Sequence, residues 1–173
     1  MDEQVVTREA TSPERTGRRV FPTARFGDVT VAANTLLQFP RGIVGLPDAR
    51  RFVLLHDEGS PAPVSWLQSL DDPALAFLVC DPTAFFPDYE IELTPAERAL
   101  LALEDVRDAL VRVILAVPED PAEITANLRG PIVIHSETRT GVQLVLDGAE
   151  HSAREPLLAA TRCSGRGGSK CSS

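Results

Sequence analysis

Lysine is missing from this chain until Lys170, and there is one Trp, one Tyr and one Met. Three cysteines, Cys80, Cys163 and Cys171, show no CxxC spacing. They exclude the disulfide framework that staples small secreted domains and fit a reducing compartment. Cys80 lies in an apolar run and reads as a small buried hydrophobe, whereas Cys163 and Cys171 fall in a Gly/Ser-rich end. No apolar run approaches the roughly 18 residues that a membrane-spanning helix needs. The opening MDEQVVTREATSPERTGRRV mixes both charge signs without an apolar core, so no secretory signal is expected. The expected location is the cytoplasm, without membrane contact.

Catalytic signatures are missing too. The chain has no GxSxG elbow, P-loop or GxGxxG. His56, His135 and His151 form no HxH or HxxxH pair and are expected at strand ends or on the surface. His135 and Ser136 are neighbours rather than a spaced base and nucleophile. Asp71 and Asp72 sit before a Pro, where adjacent turn carboxylates point apart, and Asp147 precedes Gly148 in a strand-end turn. No enzyme activity, cofactor or metal is expected. The alternatives are a small β-barrel that binds an oligonucleotide, and a hydrolase or ligand-binding barrel with a site assembled from Asp81, Asp88 and His56.

Positive charge is scarce where it would matter for the first of these. Residues 1–22 balance four acids against four Arg, and residues 161–173 carry Arg162, Arg166 and Lys170 with no acid, so a whole-chain charge of −8 becomes −11 on residues 23–160. Such a domain repels phosphate, whereas oligonucleotide-binding barrels use basic grooves with exposed aromatics. A basic protein partner is favoured, through electrostatic steering.

What is present is a globular core. At 173 residues with a hydrophobic fraction of 43%, one domain with tails is expected. Residues 1–22 lack periodicity and read as a disordered extension, 23–158 as the domain, and 159–173 as a flexible tail. The organising stretch is Trp66 to Tyr89, WLQSLDDPALAFLVCDPTAFFPDY. Within it, Leu75 to Cys80 is bounded by Asp-Pro steps and reads as a strand buried on both faces, flanked by Asp71, Asp72, Asp81 and Asp88 and followed by Phe85, Phe86 and Tyr89.

Upstream, a hairpin is expected to turn at Gly27-Asp28 with a type II′ geometry, followed by a strand at Leu36–Phe39. A Gly/Pro loop, Pro40–Pro47, then carries Ile43, Val44 and Leu46 onto the core. Arg51–His56 and Val64–Leu70 read as strands, and Asp88–Leu93 as a half-buried strand whose outer face is acidic. Thr94-Pro-Ala-Glu97 is a capping box opening a helix that ends by Leu103, with Ala99, Leu100 and Leu103 as its apolar stripe. Leu110–Val117 is the next strand, Asp120-Pro121 starts a single helical turn, and Thr125–Leu128, Pro131–His135 and Val142–Leu146 complete the set. Residues beyond Glu155 have no evident partner. The fold class is mainly β: a small antiparallel barrel-like domain with one short helix.

These blocks resemble the FliW flagellar assembly factor family from about Arg25 to Leu157. FPRGIVGLPDARRFVLL, WLQSLDDPALAFLVCDPTAFFPDYEIEL, VILAVPEDPAEITANLRGPIVI and TRTGVQLVL carry the resemblance, in the family's order. His135 departs from the Asn expected there, and both chain ends lie outside it. The resemblance implies a non-enzymatic protein that binds flagellin and, in many bacteria, the RNA-binding translational regulator CsrA, coupling flagellin translation to export. The acidic set Asp71, Asp72, Asp81 and Asp88 is then expected to meet basic CsrA. Ile43, Phe85, Phe86 and Tyr89 are expected to offer flagellin an apolar groove for an amphipathic helix.

Overall fold

The computed structural model of the chain describes residues 17–56, 62–148 and 150–158. RFVLLH, VSWLQS and AFLVC become three consecutive antiparallel strands, β4 (Arg51–His56), β5 (Val64–Ser69) and β6 (Ala76–Cys80), which follow β1 (Arg18–Thr23), β2 (Gly27–Ala32) and β3 (Leu37–Gln38). The β-branched run ALVRVILA forms β7 (Ala109–Ala116). β7 pairs β9 (Ile132–His135) through its first half, β6 at Val113 and Ile114, and β8 (Thr125–Ala126) at its end. β10 (Gly141–Gln143) lies outside β9, and β11 (Glu155–Pro156) outside β8.

The main sheet runs β10-β9-β7-β6-β5-β4-β3, and β1 and β2 form a separate hairpin. Its two ends meet at one parallel bridge between Gln38 and Thr140, where Gln38 N–H donates to the Arg139 carbonyl at 2.9 Å. One bridge in place of a ladder makes the sheet barrel-like but not a closed barrel. Among the described residues no helix is long and apolar enough to cross a membrane.

The inner face of the curl holds Phe39, Phe52, Leu67, Val79, Ile132 and Ile134. Phe39 and Phe52 meet edge to face at 5.1 Å. Successive strand residues point to opposite faces, so Val53, Cys80, Val113 and Val133 emerge on the outside and need cover of their own. The β1–β2 hairpin packs Phe21 and Val31 against Val53. Helix α1 (Pro95–Leu101) and the turn just beyond it set Leu101 and Leu103 on Val133 and Val142. The loop after β6 brings Phe85, Phe86 and Tyr89 onto Cys80, Val113 and Leu115. At the hairpin tip the Arg25 guanidinium lies 4.1 Å above the Trp66 ring and Phe26 touches its edge, leaving the Trp half-buried.

Several expectations change in detail. Gly27 is not the first residue of a II′ turn. It pairs Thr23 across a three-residue loop at φ +67, while the Thr23 hydroxyl donates to the Gly27 carbonyl. β1 begins at Arg18, inside the stretch read as an extension; residues 1–16 and the tail at 159–173 lie outside the described residues. β6 is only half-buried at Ala76, Phe77 and Leu78, so burial on both faces holds for Val79 and Cys80 alone. Asp88–Leu93 joins no ladder, yet Tyr89, Ile91 and Leu93 do turn inward and Glu90 and Glu92 outward. On α1 the capping box forms as read, but Ala99 is exposed and Leu101 takes its place in the core. The Asp120-Pro121 turn forms, capped by the Asp side chain. Beyond Glu155 the chain does find a partner, in β8.

The closure depends on a glycine. A Cβ at Gly141 would lie 2.5 to 2.9 Å from ring atoms of Phe39, which is fully buried and has nowhere to retreat. Gly141→Ala is expected to destabilise the fold by about 1–3 kcal/mol through overpacking, measured by urea unfolding.

Candidate partner-binding surface

The four carboxylates expected to face a basic partner do not form one patch. Asp71 and Asp72 stand before β6 and Asp81 and Asp88 after it, separated by a five-residue strand, roughly 17 Å of rise. Asp71 is a structural clamp. It accepts the backbone N–H groups of Arg50 and Arg51 at 2.8 and 2.7 Å, and the Arg51 guanidinium lies 2.7 Å from its other oxygen. Asp72 accepts from Ala74 N–H in its own turn. Asp81 caps the 3-10 turn Pro82–Ala84 through Thr83 and reaches Arg112 across the sheet at 3.5 Å. Asp88 is exposed.

The apolar set is divided in the same way. Ile43 is 3% exposed and belongs to the inner core, while Phe85, Phe86 and Tyr89 belong to the outer cluster behind Cys80. Gly42 at φ +67 and Gly45 at φ +83 fold the loop so that Ile43 and Leu46 bridge each other. Ile43 turns in, and Val44, expected to cap the core with it, is 61% exposed. Leu46, also expected inside, is 38% exposed. Tyr89 donates its hydroxyl to the Leu128 carbonyl at 2.8 Å and meets the His151 ring edge-on, and burial pushes its phenol up to about 12. Phe85 and Phe86 remain half-buried and are the part of the set within reach of a partner.

Other carboxylates come together that the sequence reading did not single out. A cleft of about 500 Å³ is walled by Glu90, Glu92 and Glu97 on one side and by Val145, Asp147 and Glu150 on the other. A second, of about 560 Å³, is lined by the same segment together with Arg98, Val106 and Val111. The outward turn of Glu90 and Glu92 was legible from their alternation with Tyr89, Ile91 and Leu93. Their approach to Asp147 and Glu150 depends on a non-local packing that no short window contains.

Residues considered for chemistry have structural partners. Ser65 hydrogen-bonds His56 Nδ1 at 2.8 Å, and His135 Nδ1 accepts the backbone N–H of Glu137 at 3.2 Å, holding the turn before β10. Among the described residues no three His, Cys, Asp or Glu side chains gather as metal ligands. Cys80 is buried, and desolvation, reinforced by Asp81, pushes its thiol up to about 12. Cys163 and Cys171 lie outside the described residues.

Burial alone would raise the Asp71 carboxyl, but the Arg51 side chain and the two backbone donors outweigh it and hold the group below the ordinary carboxylate range. A depressed folded pKa gives stability that is present above the unfolded pKa and lost as pH falls through the folded one. Asp71→Asn is therefore expected to cost about 1–2 kcal/mol at neutral pH, with the difference from the parent closing as pH drops through the acid range. Urea melts of both proteins across pH check this.

The FliW protein family matches residues 20–157. The flagellar assembly factor FliW of Caldanaerobacter subterraneus subsp. tengcongensis is 39% identical over 136 residues, which cover 79% of this chain and 91% of that protein. The protein of the same name from Alkaliphilus metalliredigens is 34% identical over 139 residues, covering 80% and 86%. A crystal structure of the flagellar assembly factor FliW superposes with a TM-score of 0.75 at 33% identity, over 80% of this chain and 96% of that one. Four sequence blocks in order, a barrel-like sheet with one capped helix, and matches of this length agree: the chain belongs to the FliW family.

Proposed function

We propose that this protein is a non-enzymatic flagellar assembly factor of the cytoplasm, which binds flagellin before export and antagonises CsrA where the host has it. Family membership across residues 20–157 carries the reading. While flagellin accumulates unexported it occupies this protein, CsrA is free, and flagellin translation is held down. Export of flagellin releases the protein to sequester CsrA, and translation resumes.

Physical features of the chain support such a role. A protein that holds RNA phosphates must be basic, and a charge of −11 on residues 23–160 complements it, speeds encounter and makes binding salt-sensitive. Asp71 is the weakest of the four acidic residues for this purpose, because Arg51 already neutralises it. Asp88, exposed and beside the half-buried Phe85 and Phe86, is the better placed. There charge and apolar surface adjoin, so one partner could displace the other by overlap.

Isothermal titration of the full chain with the host's flagellin, and with CsrA if the host encodes it, tests the reading at two salt concentrations. Sub-micromolar flagellin binding is expected, together with CsrA binding that weakens with salt and disappears when flagellin is added. Asp88→Arg is expected to weaken CsrA binding and flatten its salt dependence without lowering the melting temperature. A chain that leaves flagellin unbound at both salt concentrations overturns the reading.

A further inference from the structure

The segment between Tyr89 and Thr94 is built like a strand but is hydrogen-bonded like none. Tyr89 N–H donates to the Phe86 carbonyl and Thr94 N–H to the Glu97 carboxylate. Between them the backbone groups of Glu90, Ile91, Glu92 and Leu93 have no partner among the described residues. Burial still alternates residue by residue, as it does along a sheet.

The opposite wall of the 500 Å³ cleft is also an open edge. Leu144 and Leu146 donate to the Pro131 and Arg129 carbonyls at 2.8 and 2.9 Å. In an extended chain the alternate residues turn their N–H and C=O groups the other way. Val145 and Asp147 therefore present theirs away from that ladder, and neither has a backbone partner among the described residues. Val145 is 63% exposed. Two unpaired edges thus share one cleft, and an unpaired edge is a template for another chain.

We propose that this cleft is a strand-insertion site, taking an extended segment of a partner protein in which Lys or Arg alternates with apolar residues. Main-chain hydrogen bonds to alternate residues of Glu90–Leu93 and to Val145 and Asp147 supply the recognition common to all strand addition. Charge supplies the selection. Glu90, Glu92, Asp147 and Glu150 line the cleft with no ion pair among the described residues, and the one imidazole there, His151, is turned onto Tyr89. A second copy of this chain would bring the same carboxylates and be repelled. The chain's own 159–173 stretch is basic but has no β-branched residue beyond Thr161, so it makes a poor strand. The inference deepens the partner-binding reading by giving one partner a surface. The two fail separately: flagellin can bind elsewhere on a chain whose cleft takes no peptide, and the cleft can take peptide in a chain that ignores flagellin.

The test is amide hydrogen exchange on the full chain, with a blocked peptide of alternating Lys and Val as probe. Exchange is expected to slow at alternate amides within Glu90–Leu93 and at Val145 and Asp147, and an alternating Glu and Val peptide to have no effect. Glu90→Gln with Glu92→Gln, exposed changes that preserve size, should weaken peptide binding about tenfold. N-methylation of the bonding edge of the peptide should abolish binding while leaving its charge intact. Unchanged exchange at these amides overturns the proposal, and so does equal binding of the N-methylated peptide, which would mean charge attraction without strand addition. Protection already present in the free chain and lost on truncation after Leu158 would assign the cleft to the chain's own tail instead, and would equally overturn it.

Discussion

Strand β7 is apolar on both faces but for Arg112, and the organisation of the domain follows from that. Leu110 and Ile114 face the interior of the curled sheet, while Val111, Val113 and Leu115 face out. A sheet that is greasy on its outer face must be covered. The covers differ in kind because different neighbours are exposed along it: a hairpin over Val53, a helix over Val133, and a loop with two Phe and a Tyr over Cys80 and Val113. Gly141 lets Phe39 fill the interior where the two sheet ends meet. Helix α1 is thus a lid on the sheet rather than an independent unit.

What could be read from the sequence was what short-range physics controls. The Thr94 capping box and the Asp120-Pro121 turn formed as expected, because each depends on side chains two or three residues away. The alternation at Tyr89–Leu93 gave the correct inward and outward faces, but a ladder requires a second chain segment at the right distance, which alternation does not encode. The pairing of Glu155 with Ala126 escaped for the same reason, since two residues of β11 carry no pattern of their own. The turn at Gly27 differs from the expected one because a Gly-X pair and a three-residue loop followed by a left-handed Gly look alike in sequence.

For the binding surface the residue types were informative and their allocation was not. Asp beside Pro signals a turn and also offers charge to a partner, and the turn chemistry takes much of it. Asp72, Asp81, Asp105 and Asp120 each accept the N–H two residues further along. Such carboxylates still contribute to the long-range field that steers a basic partner, because capping uses their oxygens without cancelling their charge. Asp71, Asp81 and Asp105 contribute less, since Arg51, Arg112 and Arg107 lie against them. Likewise the aromatic candidates serve the protein's own packing first, with Tyr89 tied down through its hydroxyl and Phe85 and Phe86 exposed only in part.

Unpaired strand edges are hazardous, and proteins that keep them usually place charge there to discourage self-association. The Glu90–Leu93 segment fits that pattern, with carboxylates on the outward positions and apolar residues held in the core. The same arrangement selects a partner. Repulsion between identical acidic edges keeps copies of the chain apart, whereas a basic strand lowers the field on entering and satisfies backbone groups that only water satisfies otherwise. The carboxylates that keep such an edge soluble therefore determine the charge of the chain it admits, so solubility and specificity come from the same residues.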